Sequence, residues 1–420
     1  MSKRKAVVTI VANNYLASAV TLCDSLKKND NLDLYIVLVD GKLDTIDYTK
    51  YSYNILEAQQ MNIPRFYEMA YKYNVVEFST ALKPFALDYL IDKYESVYYV
   101  DPDICFFESF DNVEQQLGEH TAILTPHLVD GRNEQWDDSV ATTCMRCGVY
   151  NLGFIGVNNC DEGKALLKWW KERLTDFCYN NMIFYTDQKW ANIMPALFND
   201  VYISKDIGFN VAEWNLSERN IVYEQEKYWV YNKREKRPLS FYHFSSYKAT
   251  NPAEFLKRAG CNIWENSIEV MEQLYGEYKQ CLDNNEFGLL SKSIYKYNYY
   301  DNGVVITDIQ RRIYKALLKK GYQYNGLFST DKASLYYLLK KNGILSFEKE
   351  NVRIENSISE DGKYKRLVLL NKIMRVAKHV MGIKKYNMLL LYFNIYCTPD
   401  QQIFLLKDMK DEIQDTVYQG

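Results

Sequence analysis

The sequence predicts an α/β fold, a parallel sheet interleaved with helices, followed by a mainly helical part. Three observations lead there. Short continuous apolar runs alternate with stretches of helical apolar spacing as far as residue 120, the pattern of strands buried in a parallel sheet. From about residue 251 helical spacing takes over. The charge balance also changes sign: residues 1–250 hold 26 basic and 34 acidic groups, net −8, while residues 251–420 hold 25 and 20, net +5. Two domains are therefore expected, 1–255 and 256–420.

In chain order, "AVVTIVA" (6–12) reads as a buried strand. The helix after it carries Leu16, Val20, Cys23 and Leu26 on one face. "LDLYIVLVD" (32–40) and "NVVEFS" (74–79) read as the second and third strands, 80–94 as a helix with Pro84 near its start, and "SVYYVDPD" (96–103) as the fourth strand. Beyond residue 120, "HTAILTPH" and "CGVYNLGFIGVN" read as strands flanking an irregular charged loop, 130–142. A helix with Leu166, Trp169, Trp170 and Leu174 inward, a second helix in "DQKWANIMPALF" and a late strand in "LSFYHFSS" (239–246) complete this part. Three helical segments follow, in 307–321, 331–343 and 363–382, the first two ending in Lys-Lys and a capping glycine.

Composition excludes several classes. The 47% hydrophobic and 25% charged content is that of a globular protein, and a net charge of −3 does not call for nucleic acid. Nine scattered cysteines are not a disulfide framework, and the lone Cys144–Cys147 pair lacks two further ligands for zinc. The apolar run near the start is too short for a secretory leader, and "MLLLYFNIYC" (388–397) falls short of the ~20 residues of a membrane span. A cytoplasmic location is expected. There is no GxGxxG turn and no GxxxxGK[ST] loop, which removes the dinucleotide and P-loop readings.

The stretch that carries chemistry is "YYVDPDICFF", 98–107. Side chains alternate along a strand, so Asp101 and Asp103 point to one side where an apolar strand ends. Two like charges there repel, and a divalent cation relieves the repulsion. Ligands of open α/β sheets bind at the carboxyl ends of strands. Oxygen ligands suit Mg²⁺ or Mn²⁺, which bridge carboxylates to substrate phosphates. The competing reading is a solvated strand end.

Around this stretch, five segments in the order "VANNYLASAVTLCDSL", "LKPFALDYLIDKYESVYYVDPDI", "YNLGFIGVN", "TDQKWAN" and "FYHFSSY" resemble the family 8-type, GT-A-fold retaining glycosyltransferases, across roughly residues 5–250. The resemblance implies a mixed-sheet nucleotide-diphospho-sugar transferase domain. It implies a UDP-sugar donor, Mn²⁺ or Mg²⁺, and transfer of a hexose or N-acetylhexosamine to a saccharide or lipid-linked acceptor with retention. It implies that Ala12, Asn14 and Tyr15 hold base and ribose, that Lys83 lies near the diphosphate, and that Asp101 and Asp103 bind the metal with His243 as third ligand. Asn151 then lines the donor sugar, and Asp187 and Gln188 lie beneath its anomeric carbon.

The pattern departs from the family at Asn13, where many relatives have aspartate. After His243, Ser246 replaces a glycine and Lys248 stands one position early. Asn210, Trp214 and Asn215 sit where an acceptor or sugar could be met. Ordinary readings exist beside these: Tyr15 as a packing residue, Lys83 as a first-turn lysine, Asp187 as a helix-start acid, His243 as a core histidine. A protein-modifying glycosyltransferase and a non-catalytic nucleotide-sugar or saccharide-binding protein remain as alternatives. Finally, 363–385 holds eight Lys/Arg and no acids among apolar residues, which suits either a solvated helix face packed on the catalytic domain by its apolar side or an amphipathic helix on an anionic membrane surface, at the inner face of the cell membrane.

Overall fold

The computed structural model describes residues 4–27, 29, 32–131, 138–181, 183–245, 247–248, 267–345 and 360–406. The chain divides into two compact units, 1–66 with 75–295 and 67–74 with 296–420.

The first unit is built on a seven-stranded mixed sheet. β1 (Lys5–Val11), β2 (Leu32–Leu38), β3 (Asn54–Glu57) and β4 (Ser96–Val100) run parallel in the order β3-β2-β1-β4. β7 (Tyr150–Asn158) joins β4 antiparallel, and β6 (Ala122–Pro126) and β8 (Val201–Ile203) complete the sheet as β7-β6-β8. β1 and β4 are apolar along nearly their whole length because they sit in the middle of this sheet. Two small antiparallel sheets stand apart. β5 (Ile104–Phe106) pairs with β12 (Phe241–His243), and β9 (Asn220–Glu224), β10 (Lys227–Tyr231) and β11 (Lys236–Pro238) form a three-stranded meander. The α/β class expected from the sequence, with a mixed sheet and a helical C-terminal part, is what is found.

Several elements differ from expectation. Residues 75–81 form a helix, not the third strand; the run buries Glu77, Phe78 and Ala81 and leaves Val76 exposed, a helical period. A short apolar run does not distinguish a buried strand from a helix by periodicity alone. The third strand is instead Asn54–Glu57, whose only apolar residues are Ile55 and Leu56. Residues 138–147 form a helix, where a charged loop was expected over 130–142 and a strand from Cys147. Pro195 divides "DQKWANIMPALF" into two single turns, Gln188–Ala191 and Met194–Leu197.

The expected boundary at 255/256 falls inside the first unit. The helix Ile268–Asn284 places Met271, Leu274, Tyr275, Tyr278 and Leu282 in the same core cluster as Val211, Val230, Tyr242 and Phe244. A change in composition marks a change of secondary structure, and core packing marks a unit.

The second unit gathers the helices Asp308–Lys319 and Leu335–Lys341 around a core that includes Tyr71, Tyr300, Ile313, Leu317 and Leu339. Arg311 is buried there. Its guanidinium donates to the carbonyls of Ala70, Tyr71, Tyr73 and Tyr297 and to Asn298 Oδ1, which ties segment 67–74 into this unit. The capping glycines Gly321 and Gly343 take positive φ, +82° and +69°, as a left-handed helix end requires. The helix Glu360–Tyr396 is interrupted at Gly382. No helix among the described residues is long and apolar enough to cross a membrane.

Candidate active site at the end of strand β4

β4 leaves the sheet at Val100, and Asp101 is held there by its own N–H, which donates to Gly153 O at 2.7 Å. The chain turns through Pro102, Ile104 N–H donates back to Asp101 O, and β5 begins. β12 pairs antiparallel with β5 so that His243 stands opposite Ile104. Phe244 N–H donates to Asp103 O at 2.8 Å, which locks the two segments together. Backbone pairing therefore delivers a histidine 140 positions away to the acids. Its Nε2 lies 3.2 Å from Asp103 Oδ1 and 3.9 Å from Asp101 Oδ2.

Asp101, Asp103 and His243 each offer one ligand atom, and these atoms lie within 4.8 Å of one another. Two carboxylates and one imidazole fit Mn²⁺ or Mg²⁺ in chemistry and spacing, with positions left over for substrate oxygens. The electrostatics agree. Burial alone would raise Asp103, but the facing His243 holds it below the usual carboxylate range. Burial would lower His243, and Asp103 with Asp101 more than offsets that, so its pKa is raised.

Behind the acids lies a buried ion pair. Lys83, in the first turn of the helix Lys83–Ile91, is 4% exposed. Its ammonium donates to Leu152 O at 2.8 Å and lies 3.0 Å from Asp187 Oδ2 and 3.5 Å from Asp101 Oδ1, above the Tyr99 ring. Tyr99 OH in turn donates to Asp101 Oδ1 at 2.6 Å. Burial works against the Lys83 charge, yet Asp101 and Asp187 raise its pKa. Asp187, 1% exposed, is pushed up by burial and only partly compensated by Lys83. Lys83 faces two carboxylates and Asp187 faces one ammonium, so the lysine gains more than the aspartate recovers. Lys83 does not fit the reading of a solvated first-turn lysine, and Asp187, which does precede the helix Gln188–Ala191, is buried against that lysine.

The remaining expected residues are distributed around these. Ala12 and Asn14 lie at the carboxyl end of β1, and Asn14 Oδ1 is buried with no hydrogen-bond partner. Tyr15 is 53% exposed. Asn13 is fully buried: its amide donates to Asp40 Oδ1 and Gly41 O, both at 2.8 Å, and Tyr48 OH donates to its Oδ1. An aspartate at 13 would face Asp40 with like charge, so the departure has a local reason. Gln188 turns its amide toward Cys147 O at 3.4 Å. Lys248 is exposed, and Ser246 lies outside the described residues.

Asn151, Asn210 and Asn215 are buried in a shared hydrogen-bond network. Asn151 Oδ1 accepts from Gly153 N–H at 2.9 Å and from Asn210 Nδ2 at 3.2 Å. Asn215 bonds Ala212 N–H, Asn210 O and His127 O. The Asn-x-Gly of β7 now has a steric cause. A Cβ on Gly153 would lie 2.6 Å from His243 Cε1 and 2.7 Å from Asn151 Oδ1. Sequence reading missed His127, which directly follows β6 and contacts Asn151 Nδ2 through Nε2 at 3.2 Å. Burial lowers its pKa to about 4, so it is neutral at pH 7. Being one of four histidines was its only signal.

No protein-family model matches the chain. It is similar to two proteins of Bacillus subtilis strain 168. The uncharacterized protein YfnD is 24% identical over 257 residues, 59% of this chain and 79% of that one. The uncharacterized protein YfnF is 23% identical over 303 residues, 68% of this chain and 98% of that one. Solved structures matched include the galactosyltransferase LgtC with donor and acceptor sugar analogs, at 14% identity and TM-score 0.39, covering 65% of this chain and 95% of that one. The glycosyltransferase GlyE of Streptococcus pneumoniae TIGR4 matches at 15% and 0.37, covering 71% and 67%. Likenesses this distant do not bear on activity, which rests on the site itself.

Proposed function

We propose that this chain is a metal-dependent glycosyltransferase. In this reading it moves a hexose or N-acetylhexosamine from a UDP-sugar to a saccharide or lipid-linked acceptor, with retention of configuration. The observation that carries the reading is the convergence of Asp101, Asp103 and His243 at the carboxyl end of a central strand, with the buried Lys83–Asp187 pair directly behind. A solvated strand end has no need of a histidine delivered by a separate strand pairing, nor of a buried ammonium.

Asp101, Asp103 and His243 would hold Mn²⁺ or Mg²⁺, whose charge offsets that of a diphosphate leaving group when bound. Tyr15, exposed at the end of β1, would stack on the base, and the unpartnered Asn14 Oδ1 would accept from ribose or base. Lys83 acts on the carboxylates it contacts, fixing Asp101 for ligation and neutralising Asp187. Asp187 is too deeply buried to serve as a freely exposed nucleophile. It would instead supply negative potential beneath a sugar that gains positive charge, with Gln188 positioned beside it. The acceptor hydroxyl would then approach on the face the phosphate leaves, and the leaving oxygen takes its proton. The exposed basic helix Glu360–Tyr396 suits a lipid-linked acceptor at an anionic surface.

Asp103→Ala tests the reading. Calorimetric titration of wild type with UDP should show binding that depends on Mn²⁺, and the variant should lose it, with transfer falling by about three orders of magnitude. Full activity in Asp103→Ala would sink the proposal.

A further inference from the structure

The buried amides beside His243 form a relay whose direction is fixed at both ends by backbone groups. A backbone N–H only donates, so Gly153 N–H at 2.9 Å identifies the Asn151 atom it meets as oxygen. Asn151 Nδ2 must then be the atom facing His127 Nε2 at 3.2 Å, so that ring nitrogen accepts. The other end gives an independent check. A carbonyl only accepts, and Val149 O lies 3.2 Å from His127 Nδ1, so the His127 proton is on Nδ1 and Nε2 is indeed the acceptor.

The same Asn151 oxygen orients Asn210. Asn210 Nδ2 lies 3.2 Å from Asn151 Oδ1 and 2.9 Å from Thr125 Oγ1, which uses both hydrogens of its amide. Asn210 Oδ1 is left facing His243 Nδ1 at 3.3 Å. An amide oxygen accepts, so His243 carries its proton on Nδ1. Its Nε2 points at the Asp101–Asp103 carboxylates, 3.2 Å from Asp103 Oδ1. Those acids also only accept, so without a cation they draw a proton to Nε2 as well, and a cation between them takes that proton's place. Trp214 packs edge-on to both histidine rings and limits their rotation. Asn210 is itself in the left-handed region, φ +49°, a conformation asparagine tolerates better than most residues. It is pinned beside β12, where Val211 N–H donates to Phe241 O and His243 N–H donates to Val211 O.

We propose that Asn210 is the positioning residue of this site: oriented by Asn151 and Thr125, it holds the His243 proton on Nδ1 and so presents Nε2 to a divalent cation between Asp101 and Asp103. The orientation of a ligating imidazole by a partner on its other nitrogen governs how well it binds. The inference rests on the metal-site reading above; the Nδ1–H bond to Asn210 is made with or without a cation, while Nε2 gives up its proton only where a cation replaces it.

The test uses the full chain labelled with ¹⁵N-histidine, and long-range ¹H–¹⁵N spectra in saturating Mg²⁺, which is diamagnetic. His243→Gln identifies the signals. Wild type should show His243 protonated at Nδ1. Asn210→Gly accepts the same φ without strain and removes the amide. It should shift His243 toward the Nε2–H form and weaken Mn²⁺ binding, followed by the electron paramagnetic resonance of free Mn²⁺, by about 10–100-fold. Asn210→Asp keeps an acceptor and should restore the Nδ1–H form. Wild-type His243 in the Nε2–H form, or an unchanged tautomer in Asn210→Gly, overturns the proposal. An Nδ1–H signal that Asn210→Gly abolishes, in a chain that binds no Mn²⁺, upholds the positioning role and overturns the metal-site reading instead.

Discussion

At the end of β4, charged side chains are drawn into the interior and each meets a partner. In the helix Glu360–Tyr396 the reverse holds over 365–393, where the basic residues and most of the apolar residues face outward. Leu367, Leu370, Ile373, Val376 and Val380 are all more than half exposed, interleaved with Lys365, Arg366, Lys372, Arg375 and Lys378. Both segments mix charge with apolar sequence. The strand end resolves the mixture because Lys83, Asp187 and His243 arrive from other elements and supply opposite charge. Between 363 and 385 the sequence holds eight basic residues and no acidic one. Charge is balanced by charge from other elements at the strand end, and apolar surface stands exposed beside like charge on the helix.

The contrast can be broken at its strongest point first. Lys83→Met leaves Asp187 buried beside Asp101 with no cation, and unfolding in urea should show a loss of about 3–5 kcal/mol. A loss under about 1 kcal/mol would mean that the pair is solvated and that the two regions do not differ in kind.

His127 sharpens the comparison through pH. Its folded pKa of about 4 lies below the ordinary value of 6.5, so the unfolded chain binds the extra proton and stability falls as pH drops through that window. Between pH 7 and 4.5 the loss should approach about 2–3 kcal/mol, and His127→Gln should remove that slope. The same slope in wild type and variant would show that His127 is not held neutral by burial.

Gly153→Ala forces a methyl against His243 and Asn151. Overpacking of this kind should cost about 1–3 kcal/mol in thermal unfolding and weaken Mn²⁺ binding with it. A stable variant with wild-type metal affinity would show that the ring has room to move.

The helix should give the smallest single-residue effects. Co-sedimentation with phosphatidylglycerol vesicles should weaken in high salt, and Lys378→Ala should reduce affinity by about fivefold, roughly 1 kcal/mol. Binding indifferent to salt, or none, would leave the apolar face to another occupant.

Much of this was legible in the chain. The Asp101–Asp103 pair at a strand end could be named from its spacing, while Lys83 and His243 were named only through the resemblance of the segments around them to a known family. The helix 75–81 was misread because six residues of mixed apolar character suit either period. β3 escaped because Asn54–Glu57 holds only two apolar residues. His127 and the role of Asn210 were not legible, since hydrogen-bond direction depends on which backbone N–H or carbonyl lies opposite.

By itself, then, the sequence determined the alternation of strand and helix, the acidic strand end and the basic outward helix, because these are local patterns of polarity and period. Only the tertiary structure decided that Lys83 pairs with Asp187, that β12 sets His243 against Asp103, and that Gly153 must lack a side chain. Those outcomes depend on distances between residues far apart in the chain, and local pattern holds no record of them.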